Sequence, residues 1–231
     1  MRCFQGRLFT VDGMIEDEAP LKKEIYEQVR YYATTSVARR IEHIMQAIKL
    51  ACASEPPEIQ TDRIHVRNGT YFVDGHFTPE KEYCMNRLPI AYVSDAPAPI
   101  RWLQFLNELL YEEDIPALQE YIGYCLLPVT KAQKMLLMVG KGGEGKSRIG
   151  LILRELYGSS MYTGSLQKVE TNRFARADLE YKLLLVDDDM KTEALPQTNN
   201  IKTLVTLEDK IDIERKGQQS VQGTLYVRFA C

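Results

Sequence analysis

Two stretches near the beginning of the chain carry apolar residues at helical spacing. This period predicts two amphipathic helices that pair through their apolar faces. Thr35 or Ser36 is suited to cap the second helix, because its hydroxyl can accept a hydrogen bond from an unpaired backbone N–H. Residues 1–13 look like a short strand and a turn. The residues expected on the buried faces are Leu21, Ile25, Val29 and Tyr32 in the first helix, and Val37, Ile41, Ile44, Ile48 and Ala51 in the second.

The pattern changes to strict alternation in the middle of the chain and then returns to helical spacing. Residues 63–95 alternate apolar and polar positions around Asn68-Gly69 and Asp74-Gly75, which are strong hairpin signals. A small β unit is therefore expected there, followed by a helical layer. The residues of that layer expected to face inward are Ile100, Leu103, Leu106, Leu110, Leu118, Ile122 and Leu126.

From Lys134 onward, short apolar runs alternate with helical stretches. Alternation of this kind is typical of α/β units around a mostly parallel sheet. The organisation expected is a helical lead-in over 1–62, a small β and helical domain over 63–133, and an α/β core over 134–231.

Composition narrows the class of protein only moderately. The chain has 231 residues, of which 45% are hydrophobic, and a net charge of −3, so it can bury a substantial core. Its five cysteines are scattered and never spaced as CxxC, a distribution that suggests neither a disulfide framework nor a zinc site. No apolar run is long enough to span a bilayer or to form a secretion signal, and a cytoplasmic protein is expected.

A glycine-rich segment after one apolar run has the pattern of a phosphate-binding loop. Gly140 is followed at the required spacing by Gly145, Lys146 and Ser147, which satisfies GxxxxGK(S/T) between a candidate strand and a helix. Glycines allow several N–H groups to face an anion, and the start of the helix favours phosphate. Lys146 would reach the terminal phosphates and Ser147 would bind Mg2+. The residues expected to hold ATP are Gly140, Lys141, Gly142, Gly143, Glu144, Gly145, Lys146 and Ser147.

A phosphate-binding loop needs a second element that holds the metal ion, and an acidic segment further along the chain is a candidate. The buried run that ends at Val186 is followed by Asp187, Asp188 and Asp189. A carboxylate at the end of a strand can hold Mg2+, and the next one can polarise an attacking water. We assign Asp187 to the metal and Asp188 to the catalytic position. A shift of this assignment by one residue within the three aspartates stays open.

Several segments, in this order, resemble the C-terminal half of phage and plasmid primase-helicases, whose ATPase belongs to helicase superfamily 3. They are IRWLQFLNELL, the segment through KAQKMLLMVGKGGEGKS, FARADLEYKLLLVDDD and IKTLVTLEDKIDIERKG, preceded by RNGTYFVDG and LPIAYVSDAPAPIRW of the family's small domain. The resemblance extends over residues 63–231, and residues 1–62 fit only loosely.

The resemblance implies an AAA+-like P-loop NTPase core and an ATP-driven motor. Such a motor assembles as a ring, usually of six subunits, and translocates on single-stranded DNA to unwind forked DNA in a bacterial host cell. Lys146, Asp187 and Asp188 would be its catalytic residues. Arg215 and Lys216 match the basic tip of a hairpin that reaches DNA in the ring channel, where they would contact phosphates rather than bases.

The chain departs from the family by lacking the sensor Asn and the arginine finger expected beyond its last strand, so it is expected to be a fragment. Two other classes stay open: an initiator-like or clamp-loader-like P-loop ATPase, and a non-enzymatic assembly module with a vestigial nucleotide site. The histidines His43, His65 and His76, Trp102, and the tyrosines of EIYEQVRYYA are interpreted as packing or surface residues.

Overall fold

The computed structural model describes residues 1–33, 35–140, 144–190, 198–207 and 209–231. These residues form two compact units. The first consists of residues 1–58 and 81–85, and the second of residues 59–80 and 86–231. The second unit thus contains most of the predicted region 63–133 and the whole described part of 134–231.

The first unit combines a three-stranded meander with a helical pair. Strands β1 (Arg2–Phe4), β2 (Arg7–Thr10) and β3 (Gly13–Met14) pair antiparallel in that order, and helices α1 (Ala19–Val29) and α2 (Val37–Ala51) follow. Cys3, Leu8 and Met45 are buried between them. The predicted pair of amphipathic helices is confirmed, and the predicted single strand at the start is a meander of three strands.

Two details of the helical pair differ from the sequence pattern. Helix α1 ends at Val29, so Tyr32 lies beyond it and is exposed rather than buried. Ser36 does precede α2, but its backbone is left-handed and its side chain makes no capping hydrogen bond. The helical spacing of apolar residues in the sequence extends to Tyr32, whereas the helix itself ends three residues earlier, at Val29.

The second unit begins with another antiparallel meander and two helices. Strands β4 (Arg63–Val66), β5 (Gly69–Phe72) and β6 (Phe77–Thr78) confirm the predicted β unit. Helices α3 (Ile100–Leu109) and α4 (Asp114–Tyr124) confirm the helical layer. Leu106 and Leu118 are buried as expected, but Ile100 is exposed because it is the first residue of α3.

The rest of the second unit is an α/β arrangement. It contains α5 (Lys146–Tyr157), β7 (Met161–Thr163), α6 (Leu166–Thr171), β8 (Leu184–Val186), α7 (Asn199–Val205), β9 (Ile211–Ile213), β10 (Val221–Gly223) and β11 (Arg228–Ala230). A three-stranded parallel sheet has the order β11-β8-β7, and β9 and β10 form a separate antiparallel hairpin. The mixed α/β fold with a parallel sheet is thus as predicted.

The apolar run before the glycine-rich segment extends this sheet only weakly. The Leu136 N–H donates to the Phe229 carbonyl (2.9 Å), and the Cys231 N–H donates to the Leu136 carbonyl (3.1 Å). Leu136 and Ala230 form one parallel bridge, so the expected strand is a short extended segment beside β11. Residues 136–138, β11, β8 and β7 therefore lie side by side in that order.

Both faces of the sheet are covered, as the run of apolar residues in β8 requires. Leu184 and Val186 face one core with residues of α3, α4 and α5, whereas Leu185 faces a second core with residues of α6 and α7. The first core also contains Leu106, Leu118, Ile149, Leu153 and Tyr157, and the second contains Leu166, Val169, Ile201, Leu204 and Phe229.

Two buried tyrosines connect the helices to this framework. The Tyr121 hydroxyl donates to the Phe229 carbonyl and the Tyr157 hydroxyl donates to the Ile122 carbonyl, each at 2.7 Å. Burial raises the pKa of Tyr121 and of Tyr157 well above their usual value. Both hydroxyls therefore remain protonated donors, and they fix α4 to β11 and α5 to α4.

We predict that alanine at Gly150 stabilises the fold, whereas alanine at Gly158, just after α5, destabilises it. Gly158 has φ +51°, and a Cβ there would lie 2.8 Å from Pro89 Cγ, whereas a Cβ on Gly150 would meet Val186 Cγ1 at an ordinary 3.7 Å. Gly158→Ala should cost about 1–3 kcal/mol of unfolding free energy. Gly150→Ala should add about 0.4–1 kcal/mol, because it restricts the unfolded chain. Urea denaturation measures both, and equal effects would contradict this packing.

Candidate functional site

The glycine-rich segment leads directly into α5. Gly145 precedes the helix with φ +98°, a left-handed conformation that glycine adopts without strain, and the Arg148 N–H donates to its carbonyl (2.9 Å). Lys146 is the first residue of the 12-residue helix and Ser147 is the second. The described part of the segment thus consists of a short extended stretch beside β11 and, after Gly145, the start of α5. Lys141, Gly142 and Gly143 lie outside the described residues.

The Lys146 side chain turns back over the loop. Its Nζ lies 3.4 Å from Oε2 of Glu144, and the two side chains are only partly exposed, at 27% and 45%. A Cβ on Gly140 would collide with the Glu144 carboxylate and with the Lys146 ammonium. Both groups are the ends of flexible side chains, so an added Cβ at Gly140 would displace them rather than strain the backbone.

A cavity of about 230 Å³ joins the loop to the acidic end of β8. Gly140, Lys146 and Ser147 line it on one side, and Asp188 lines it on the other. The remaining lining residues are Leu137, Met138, Val139, Gly150, Val186, Met190 and Cys231. A cation, a hydroxyl and a carboxylate thus line the same cavity.

Asp187 and Asp188 have different environments. The Asp187 carboxylate is buried and accepts a hydrogen bond from the Leu166 N–H (2.8 Å) at the start of α6, and its own N–H donates to the Ala230 carbonyl (2.9 Å). Asp188 is exposed and lines the cavity. Of these two carboxylates, only that of Asp188 lines the cavity, whereas that of Asp187 is held by the start of α6.

The acidic strand is not adjacent to the segment that carries the loop. β11 lies between residues 136–138 and β8, and its C-terminal end is followed by Cys231, which also lines the cavity. Burial and the neighbouring Asp187 charge raise the pKa of Cys231 to about 12, so this thiol is uncharged near neutral pH. No motif in the sequence indicated that Cys231 and Met190 line the site.

A second cavity, of about 210 Å³, lies on the other side of the 137–139 segment. Its walls are mainly leucines of α3, α4 and the 136–137 segment, with Asp114 as one of its few polar groups. Glu144 and Lys146 also line it, and Lys146 together with residues 137–139 lines both cavities. The sequence pattern gave no indication of this apolar space.

The predicted basic hairpin forms, but its two basic residues differ in environment. β9 and β10 are connected by residues 214–220, with Gly217 at φ +74° in the turn. Arg215 pairs with the buried Glu180, whereas Lys216 is exposed. A second ion pair joins Arg173 to Glu214 at 3.2 Å. The expected exposed basic pair is thus reduced to Lys216, because Arg215 fixes the hairpin to the preceding segment.

Comparisons with known proteins give two family matches and similar solved structures. Residues 8–110 match the family model described as D5 N terminal like, and residues 138–231 match a family of unknown function, DUF5906. A search of curated proteins gives no match. Two solved structures of the NrS-1 C-terminal region are similar in fold. An A form apo structure has 15% identity and a TM-score of 0.51, with 83% of this chain and 47% of that chain covered. Another apo structure has 15% identity and a TM-score of 0.50, with 97% of this chain and 53% of that chain covered.

Each of the two family models covers less than half of the chain. At 15% identity the structural similarity concerns the fold alone, and the chain spans about half the length of the structures it matches. In the described part of the chain, no helix is both long enough and apolar enough to cross a membrane.

We predict that Arg215 contributes to stability and that Lys216 does not. Arg215→Met would leave the buried Glu180 carboxylate without this partner, and because Arg215 is itself partly exposed the cost should be about 1–3 kcal/mol, below that of a fully buried pair. Lys216→Met, the matched control, should stay within about 0.5 kcal/mol of the parent chain. Urea denaturation of the two variants distinguishes these outcomes, and equal stabilities would show that the pair with Glu180 contributes nothing.

Proposed function

We propose that the chain is the ATP-binding part of a DNA helicase of superfamily 3, acting in phage or plasmid replication. The observation that carries the proposal is the shared cavity lined by Gly140, Lys146, Ser147 and Asp188. These are the residue types that phosphoryl transfer uses, at the start of a helix and at the end of a buried parallel strand.

The phosphates of ATP would lie against the loop from Gly140 to Ser147. The backbone N–H groups at the start of α5 and the Lys146 ammonium supply positive potential there. Lys146 Nζ lies 3.4 Å from Oε2 of Glu144, a contact that orients the ammonium group. When ATP binds, Lys146 would exchange this carboxylate for a phosphate oxygen.

The oxygen donors at the cavity fit Mg2+. This ion binds hard oxygen ligands and usually keeps several waters, with one or two protein groups and the phosphates completing its shell. Ser147 and Asp188 would be the protein groups, and Asp187 would orient the end of β8 through its bond to the Leu166 N–H. The bound ion would neutralise charge on the transferred phosphoryl group.

Contact with single-stranded DNA would involve the β9–β10 hairpin. Lys216 is exposed at its tip and suits a phosphate, whereas Arg215 is held by Glu180. Assembly into a homo-oligomeric ring, usually of six subunits, and action on forked DNA in the cytoplasm of a bacterial host are parts of the same proposal. They rest on the resemblance to primase-helicases rather than on a particular contact.

The first test concerns nucleotide binding. Lys146→Ala should weaken the affinity for a fluorescent ATP analogue by at least about tenfold, because charge-assisted hydrogen bonds of this kind contribute about 1.5–3 kcal/mol. Lys134→Ala, which removes an exposed lysine outside the cavity, is the matched control and should bind normally. Unchanged binding by the Lys146 variant would remove the basis for either an ATP-driven motor or another P-loop ATPase.

The second test separates the three aspartates. Asp188→Asn should reduce the gain in ATP affinity that Mg2+ provides, while Asp189→Asn, its exposed neighbour, should leave that gain unchanged. Asp187→Asn should lower stability, since the amide keeps an oxygen for the Leu166 N–H but loses the negative charge that strengthens this hydrogen bond. Titrating Mg2+ at fixed nucleotide measures the first effect and urea denaturation the second. If only Asp187→Asn reduced the Mg2+ effect, the assignment of Mg2+ to Asp188 would be wrong.

A further inference from the structure

Two tyrosines at the connection between α1 and α2 are unusually exposed. Tyr31 and Tyr32 have relative exposures of 73% and 89%, although the sequence pattern had placed Tyr32 on the packed face. The chain leaves α1 at Val29, and the Tyr32 and Ala33 N–H groups both donate to the Val29 carbonyl. Ala33 is buried, so this turn directs two large rings to solvent.

One of the two rings is held in position by Arg30. The Arg30 guanidinium donates to the Tyr31 hydroxyl (2.7 Å) and lies 4.8 Å from the centre of its ring. Arg30 also pairs with Glu27 at 2.9 Å. These contacts restrict the Tyr31 side chain and place the guanidinium over one face of the ring. Tyr31 nevertheless remains largely exposed to solvent.

The same end of the helical pair is positively charged. Lys22–Glu42 and Lys49–Glu18 ion pairs, each 2.7 Å, show that α1 and α2 run antiparallel, so the end of α1 and the start of α2 lie together. Residues 28–41 contain three arginines, Arg30, Arg39 and Arg40, and neither Asp nor Glu.

The positions of Arg39 and Arg40 do not favour the stability of α2. Both are exposed in its first turn, where the helix dipole disfavours cations. Within the described ranges neither has an ion-pair partner. Their charge is therefore available to an anionic ligand.

We propose that the surface formed by residues 30–32 and 39–40 binds single-stranded nucleic acid. Unpaired bases would stack on Tyr31 and Tyr32, and Arg39 and Arg40 would contact the phosphates. Exposed rings beside cations are what sequence-tolerant binding of single strands requires, because every base has a flat face. In a duplex these faces are covered by neighbouring base pairs, so the surface should prefer single strands. It belongs to the first unit and does not depend on the proposed nucleotide site.

The stacking step can be tested with a fluorescein-labelled oligo-dT of about 15 nucleotides, a length within the usual range of single-strand sites. Binding is followed by fluorescence anisotropy without ATP or Mg2+, in the intact chain. Tyr31→Ala/Tyr32→Ala should weaken binding by about tenfold or more, whereas Tyr31→Phe/Tyr32→Phe, which keeps both rings, should retain most of it. Tyr111→Ala removes a ring that is 77% exposed in the second unit and should have no effect.

The phosphate step can be tested through the salt dependence of the same binding. Arg39→Gln/Arg40→Gln should make the slope of log affinity against log salt shallower by about 1.4, since each phosphate contact on a single strand contributes about 0.7. Arg101→Gln/Lys131→Gln removes the same charge from exposed positions elsewhere and should leave the slope unchanged. Circular dichroism of each variant verifies that the helices are intact.

The outcomes distinguish this surface from the proposed nucleotide site. The proposal is supported if the tyrosine and arginine variants lose oligo-dT affinity while ATP binding and the Lys146→Ala effect are unaltered. It is overturned if folded Tyr31→Ala/Tyr32→Ala binds oligo-dT like the parent chain, or if a duplex of equal length binds as tightly and is equally sensitive to both variants. Neither overturning result would affect the assignment of the ATP site.

Discussion

The parallel alignment of residues 136–138, β11 and β8 is the constraint on which the candidate site depends. Parallel strands end at the same edge of a sheet, and a ligand site at that edge receives side chains from several strand ends. The Leu136–Phe229 and Asp187–Ala230 hydrogen bonds (each 2.9 Å) set the register on both sides of β11. Because of this register, Gly140, Lys146 and Asp188 line one cavity, although β11 lies between residues 136–138 and β8.

Packing on both faces makes that alignment rigid. β8 is buried on its two faces, and α5 lies against it with Gly150 near Val186. The helix whose first residues are Lys146 and Ser147 is thus fixed relative to Asp188 by the core. In the proposed ATP site Lys146 would change partner, and its contact with Glu144 is partly exposed and inexpensive to exchange.

The spacing of apolar residues and the position of glycines predicted helices and strands well, because these elements depend mainly on residues that are near each other in the chain. The buried run before Asp187 became β8, and the sequence from Lys146 to Gly158 became α5 with its ends as expected. What the sequence did not predict depends on long-range contacts. The bond of Asp187 to Leu166 requires the position of α6, and the pairing of Arg215 with Glu180 joins residues 35 positions apart. Tyr32 was wrongly expected to be buried, since the helical period does not reveal that α1 ends at Val29.

The account is tested most directly by an experimental structure of the chain with Mg2+ and a non-hydrolysable ATP analogue. We expect the triphosphate between the Gly140–Ser147 loop and Asp188, with the Ser147 hydroxyl about 2.1 Å from the ion and Lys146 moved from Glu144 to a phosphate oxygen. A nucleotide bound away from this cavity, or an ion coordinated with neither Ser147 nor an aspartate of 187–189, would contradict the central claim.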